Sequence, residues 1–171
     1  MLTRALEDKY FQHLVEAARG AQQPFVAVVV DPEADCIVAE GINRSRQDPT
    51  MHSEVAAIRA LAAARPRPVG RGLALLTTAE PCPMCASAIV YAGLQTVRFG
   101  ISRPELMARG WNEFSLGADA VMADARASCG FDYDLSAYAG AHRGACVGLF
   151  GVRGQKMEAG PVPRRAGWPG G

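Results

Sequence analysis

The chain has 171 residues, 49% hydrophobic and 20% charged, enough for one domain with a sizeable core and an ordinary polar surface. Its formal net charge of +1 supplies no global field toward nucleic acid or an anionic membrane. No apolar run approaches the roughly 18–20 residues of a membrane span, and residues 1–19 lack the apolar core of a secretory signal, so a cytoplasmic protein is expected.

Leu2, Leu6, Tyr10, Phe11, Leu14, Val15 and Ala18 fall at helical spacing over residues 2–19, and Gly20 is the stop. Phe25–Asp31 is β-branched and continuous and reads as a buried strand. Asp31-Pro32 turns the chain, and Cys36–Glu40 returns it as the second arm of a hairpin. After a polar loop at 41–47, Asp48 is the expected N-cap and Pro49 the first position of a helix running to about Ala64, with Val55, Ile58 and Leu61 inward. Pro66, Pro68 and Gly70 break it. Leu73–Thr78 is a buried strand, Cys82–Ala92 an apolar helix closed by Gly93, and Thr96–Ile101 a strand. Residues 104–108 and 118–127 read as helices, and 129–150 as holding a further strand and helix. Strand–helix–strand units call for a partly parallel sheet with helices on both faces. The expected organisation is one domain over 1–153 and a disordered Gly/Pro/Arg-rich tail over 154–171. The clusters Arg65/Arg67/Arg71 and Arg164/Arg165 sit among Pro and Gly and read as solvated turns.

Two short motifs carry the chemistry: His52-Ser53-Glu54 and Pro81-Cys82-Pro83-Met84-Cys85. Each is weak alone, but each falls at the first turn of an expected helix. In a cytoplasmic chain the five cysteines read as metal ligands or buried thiols rather than disulfides. Cys82 and Cys85, at i and i+3, share a helical face and can chelate one ion, and a helix start favours thiolates. With His52 they make the three-ligand set of a catalytic zinc, which keeps its fourth position for water and acidifies that water for attack. Proton transfers then need a carboxyl group beside the water, and Glu54 fits. Mid-helix, His52 and Glu54 would diverge by about 200°, so the helix N-terminus must point at the metal, and the Asp48-Pro49 start places it there. A structural zinc would want a fourth ligand, and Cys36, Cys129, Cys146, His13 and His142 lack ligand-like spacing. A redox pair would leave His52 and Glu54 without a role.

At these residues the chain resembles the cytidine-deaminase-like zinc deaminases, whose signature is H-x-E followed by P-C-x-x-C. The resemblance covers roughly residues 25–114. Asp48 to Glu54 is similar to the DPTAHAE segment of bacterial guanine deaminases and tRNA adenosine deaminases, and Glu80 to Cys85 to the EPCPMC form frequent in guanine deaminases. The resemblance implies an α/β fold, a three-layer α/β/α arrangement with a mixed sheet of about five strands, a Zn2+ cofactor and a homodimer. It also implies that Asn43, in a Gly41-Ile42-Asn43 loop, contacts the base, and that the backbone N–H groups of Ser53 and Cys82 face it.

The segment from Gly110 to Phe114 is similar to the G-F-D-D-x-F motif of guanine deaminases. Glu113 stands at the place of the second acid, which helps bind the base and move a proton; Trp111 replaces the aromatic and Asn112 the first acid. The chain lacks both the G-A-A-G-S loop and the basic C-terminal helix of tRNA adenosine deaminases. The expected substrate is therefore a small nucleobase-type molecule, guanine or a related free base, with ammonia as product. The alternatives are adenosine in tRNA, a nucleoside, or another aminated heterocycle.

Overall fold

The structure, a computed structural model, describes residues 1–64 and 70–152. The expected breaks at Pro66 and Pro68, the basic residues Arg65, Arg67, Arg164 and Arg165, and the tail lie outside the described residues.

Thr3 caps the first helix, α1 (Arg4–Arg19), by accepting from the Leu6 N–H. The hairpin follows as β1 (Val26–Asp31) and β2 (Cys36–Ile42), then α2 (Ser53–Ala64), β3 (Ala74–Ala79), α3 (Pro83–Ala92), β4 (Thr96–Ile101), α4 (Arg103–Ala108), α5 (Ala118–Cys129), β5 (Asp134–Ala137) and α6 (Arg143–Gly148). The five strands form one sheet in the order β2-β1-β3-β4-β5. β1 runs antiparallel to β2 and β3, and β3, β4 and β5 run parallel. This is the mixed five-stranded α/β sheet that the resemblance implies.

Both faces of the sheet are covered, which explains why Val26 to Val30 is an unbroken apolar run. On one face Ala27, Val29, Leu75 and Val97 pack against Leu61 of α2, Ile89 of α3 and Met122 of α5. On the other, Val28, Val30 and Leu76 pack against Phe11 and Leu14 of α1 and Cys146 of α6. The strand and helix expected within 129–150 are present as β5 and α6.

Two expectations are corrected. β2 continues through Gly41 and Ile42, so the polar loop starts only at Asn43. Gly41 packs directly under the next helix: a Cβ there would lie 2.1 Å from the Ser53 carbonyl oxygen and 2.3 Å from the Ala57 nitrogen. Second, α2 starts at Ser53 and not at Asp48-Pro49. The Asp48 carboxylate accepts from the N–H and hydroxyl of Thr50, at 2.9 and 2.7 Å, and the Met51 N–H donates to the Asp48 carbonyl. These bonds commit the segment to a tight Asx-type turn in place of the first helical turn. The inward stripe of α2 is Ser53, Glu54, Ala57 and Leu61, with Ile58 at the margin of the core. Val55 falls beside that stripe and is only half-buried.

Candidate metal centre and active site

His52 occupies the position just before α2, and its carbonyl accepts from the Ala56 N–H at 2.9 Å. Cys82 is the N-cap of α3, with Pro83 at the first helical position, and its carbonyl accepts from the Ala86 N–H at 2.8 Å. Cys85 lies one turn further on and is fully buried. The ligand atoms of His52, Cys82 and Cys85 all lie within 4.8 Å of one another, and Cys82 Sγ stands 3.5 Å from His52 Nδ1. One imidazole nitrogen and two sulfurs suit a borderline-soft ion such as zinc, and three ligands leave a position for water. Cys36 and Cys129 are exposed, and the buried Cys146 donates to the Thr78 carbonyl at 3.3 Å, so none of them joins the cluster.

Glu54 sits in the first turn of α2, 6% exposed. Its Oε2 accepts from Ser53 Oγ at 2.9 Å and from the Cys85 thiol at 3.5 Å. Burial pushes its carboxyl above the usual range. Hydrogen bonding between the two cysteines splits them, pulling Cys82 down and pushing the buried Cys85 up. The hydrogen bond with Cys82 raises His52 against the effect of burial.

A cavity of about 280 Å3 opens onto these groups. His52, Glu54 and Cys82 lie in its wall, together with Asn43, Trp111 and Glu113. Ser53 does not line it: the side chain is buried and its hydroxyl is engaged with Glu54. Asn43 is held in the loop on both sides, with Nδ2 donating to Gln23 Oε1 and Oδ1 accepting from the Ser45 N–H at 3.0 Å. One N–H and one lone pair of the amide remain for a ligand. Trp111 stands edge-on to Phe25 and Phe150, with ring centroids 5.3 and 5.5 Å away. Glu113 Oε2 accepts from Arg103 Nη1 at 3.0 Å. Burial raises the Glu113 carboxyl, and Arg103 opposes that rise.

Sequence reasoning missed Gln23, Phe25, Ser45, Glu80 and Phe114 in the cavity wall, Arg103 behind Glu113, and the contribution of Phe150. Glu80 was within reach, because it directly precedes the Pro-Cys motif and its charge follows an uncharged strand.

Fold and site together define a metalloprotein whose candidate ion site lies between two helix starts at one end of an α/β/α sandwich. Residues 5–101 match the cytidine and deoxycytidylate deaminase zinc-binding region, and the chain belongs to that family. Zinc is the cofactor, with His52, Cys82 and Cys85 as its candidate site. A tRNA(Ile)-lysidine synthase from Deinococcus deserti is 39% identical over 97 residues, 56% of this chain but 18% of that protein. The chain therefore spans about a fifth of the length of that curated relative. A probable cytosine deaminase from Schizosaccharomyces pombe is 31% identical over 114 residues, covering 63% of this chain and 69% of the relative. The guanine deaminase of Bacillus subtilis is 35% identical over 96 residues, 55% of this chain and 60% of the relative. Among solved structures, one from work on A-to-I editing by tRNA:A34 deaminases is 27% identical with a TM-score of 0.60, covering 82% of this chain and 99% of that one. A guanine deaminase from Nitrosomonas europaea shares the fold at 22% identity and a TM-score of 0.66, over 82% of this chain and 80% of that one.

Proposed function

We propose that this chain is a zinc-dependent hydrolytic deaminase acting on a free aminated base, guanine or a close relative, with release of ammonia. The observation that carries the reading is that Glu113 shares one small cavity with Glu54, His52 and Cys82. About 280 Å3 is at the small end of ligand pockets, the scale of a single ring system.

His52, Cys82 and Cys85 would hold a zinc ion, which would supply an acidified water as the nucleophile. Glu54 is the proton shuttle. Its buried carboxylate passes one proton of the attacking water to the ring nitrogen and then the second to the departing amine, which leaves as ammonia. Trp111 offers an aromatic surface, Asn43 a hydrogen-bonding amide and Cys82 its place at a helix start. Glu113 accepts from the 2-amino group and a ring N–H of guanine. Adenine and cytosine lack that pair of donors, and a buried acceptor left unmet costs affinity. The similarity to guanine deaminases supports this reading. A homodimer and a cytoplasmic location belong to it as well, resting on the resemblance and on composition.

A second reading, deamination of adenosine in tRNA, is favoured by one observation. Arg44 and Arg46 line an open groove that shares Gln23, Asn43 and Ser45 with the cavity, a place where phosphates could run. An ammonia-release screen over guanine, adenine, cytosine, their nucleosides, triazines, pterins and tRNA separates the two. Guanine turnover that falls sharply in Glu113→Gln supports the first. Turnover of tRNA adenosine, a salt-dependent gel shift with tRNA and inert guanine would overturn it and leave the zinc chemistry standing.

A further inference from the structure

The α4–α5 connection carries Trp111, Glu113 and Phe114 to the cavity, and two acid–base groups hold it from behind. Arg103 is 2% exposed although it opens the short helix α4. Its Nη1 donates to Glu113 Oε2 at 3.0 Å and its Nη2 donates to the Phe114 carbonyl. Its backbone N–H donates to Glu80 Oε2 at 2.9 Å, and Glu80 Oε1 accepts from the Ala118 N–H at 3.2 Å. One carboxylate thus ties the start of α4 to the start of α5, and one guanidinium ties down the middle of the connection. Glu80 also sits two residues before Cys82, and its own N–H donates to the Ile101 carbonyl at 2.8 Å. The connection is therefore held in register with the metal-bearing helix.

Arg103 Nε is buried and has no hydrogen-bond partner among the described residues. Desolvating a guanidinium is costly, and the bonds to Glu113 and the Phe114 carbonyl are what offset that cost here. Glu113 Oε1, in contrast, makes no hydrogen bond among the described residues, so the grip on Oε2 leaves the second oxygen for a ligand.

We propose that Arg103 is a positioning residue that presents Glu113 to the substrate and thereby sets which aminated ring is accepted. It acts through Glu113 and does not touch the substrate. This deepens the free-base reading and rests on it. A carboxylate on a loop would otherwise lose rotamer freedom at every binding event. The planar fork reaches two acceptors together, which a lysine ammonium does not reproduce.

The test is steady-state kinetics on the zinc-loaded full chain with guanine as the probe, using Arg103→Met, Arg103→Lys, Glu113→Gln and the double variant Arg103→Met/Glu113→Gln. Zinc content is measured for each. Arg103→Met is expected to raise KM about tenfold or more with a smaller change in kcat, as loss of uniform binding does. Arg103→Lys is expected to raise KM by a smaller factor. In the Glu113→Gln background, Arg103→Met is expected to add nothing. KM effects that multiply in the double variant overturn the proposal. So does a KM raised by Glu113→Gln but untouched by Arg103→Met, with the free-base reading then intact. A KM indifferent to Glu113→Gln, or a wild-type chain inert to guanine, overturns both. Where Arg103→Met does not yield zinc-loaded protein, Arg103→Lys alone and combined with Glu113→Gln decides by the same criterion.

Discussion

Glu54 Oε2 lies 3.5 Å from Cys85 Sγ, joining the carboxylate in the first turn of α2 to the thiol in the first turn of α3. The group assigned to proton transfer and a group assigned to the metal are thus held by two helix starts facing each other across one cavity wall. Replacing Glu54 by Gln keeps the shape and removes the proton carrier. Turnover is expected to fall by about 10²–10⁴-fold with zinc content unchanged. A variant with near wild-type turnover would remove Glu54 from this role.

Cys85→Ser replaces a fully buried sulfur with a poorer ligand for zinc. Purified wild-type protein is expected to hold about one zinc per chain, following the three-ligand rule. The variant is expected to lose most of it, read by elemental analysis after dialysis against a mild chelator. Full metal retention with full activity would displace Cys85 from the ligand set.

Phe150 lies beyond α6, fully buried, with its ring against Phe25 and Trp111 at centroid distances of 5.1 and 5.5 Å. Phe150→Ala removes that support and leaves a cavity under the wall of the site. A loss of about 3–5 kcal/mol in stability is expected, measured by urea denaturation, along with a raised KM. Unchanged stability would mean that the aromatic cluster collapses without cost.

Glu105 provides the pH test. Burial pushes its carboxyl up, but hydrogen bonds from Arg143 and Ser102 outweigh burial and hold it at about 2. A depressed folded-state pKa adds stability that is complete above the unfolded value of about 4.5 and disappears as pH falls toward about 2. Glu105→Gln is expected to lower Tm at pH 7, with the difference from wild type closing between those two values. A Tm difference equally large at the acid end would show that the charge is not the source.

Most of the fold was legible where one physical signal dominated. The run from Val26 to Val30 could only be a strand covered on both faces, and Gly93 marked the end of α3 with a left-handed φ of 74°. The His-x-Glu and Cys-x-x-Cys triplets were legible because ligand chemistry restricts residue type and spacing together. The start of α2 was misread because Asp48 can cap a helix or close an Asx turn, and local sequence does not rank the two. Arg103 was invisible for a different reason: a buried arginine and a solvated one look alike until the partners Glu80 and Glu113, distant in sequence, are brought to it. The part played by Phe150 depends on packing between segments that show no periodicity.

The reversal of direction at the β1–β3 pair has a further consequence. Because β1 runs against β3 and β4, the start of β1 and the ends of β2, β3 and β4 all emerge at the same end of the sheet. The metal set is supplied by the connections after β2 and β3, whereas Trp111 and Glu113 ride on a separate connection after α4. In the proposed reading the ion ligands and Asn43 share one set of connections, and the recognition groups Trp111 and Glu113 ride on another. Exchanging residues 109–117 between relatives would retune the acceptable ring while the ion-holding helix starts stay in place.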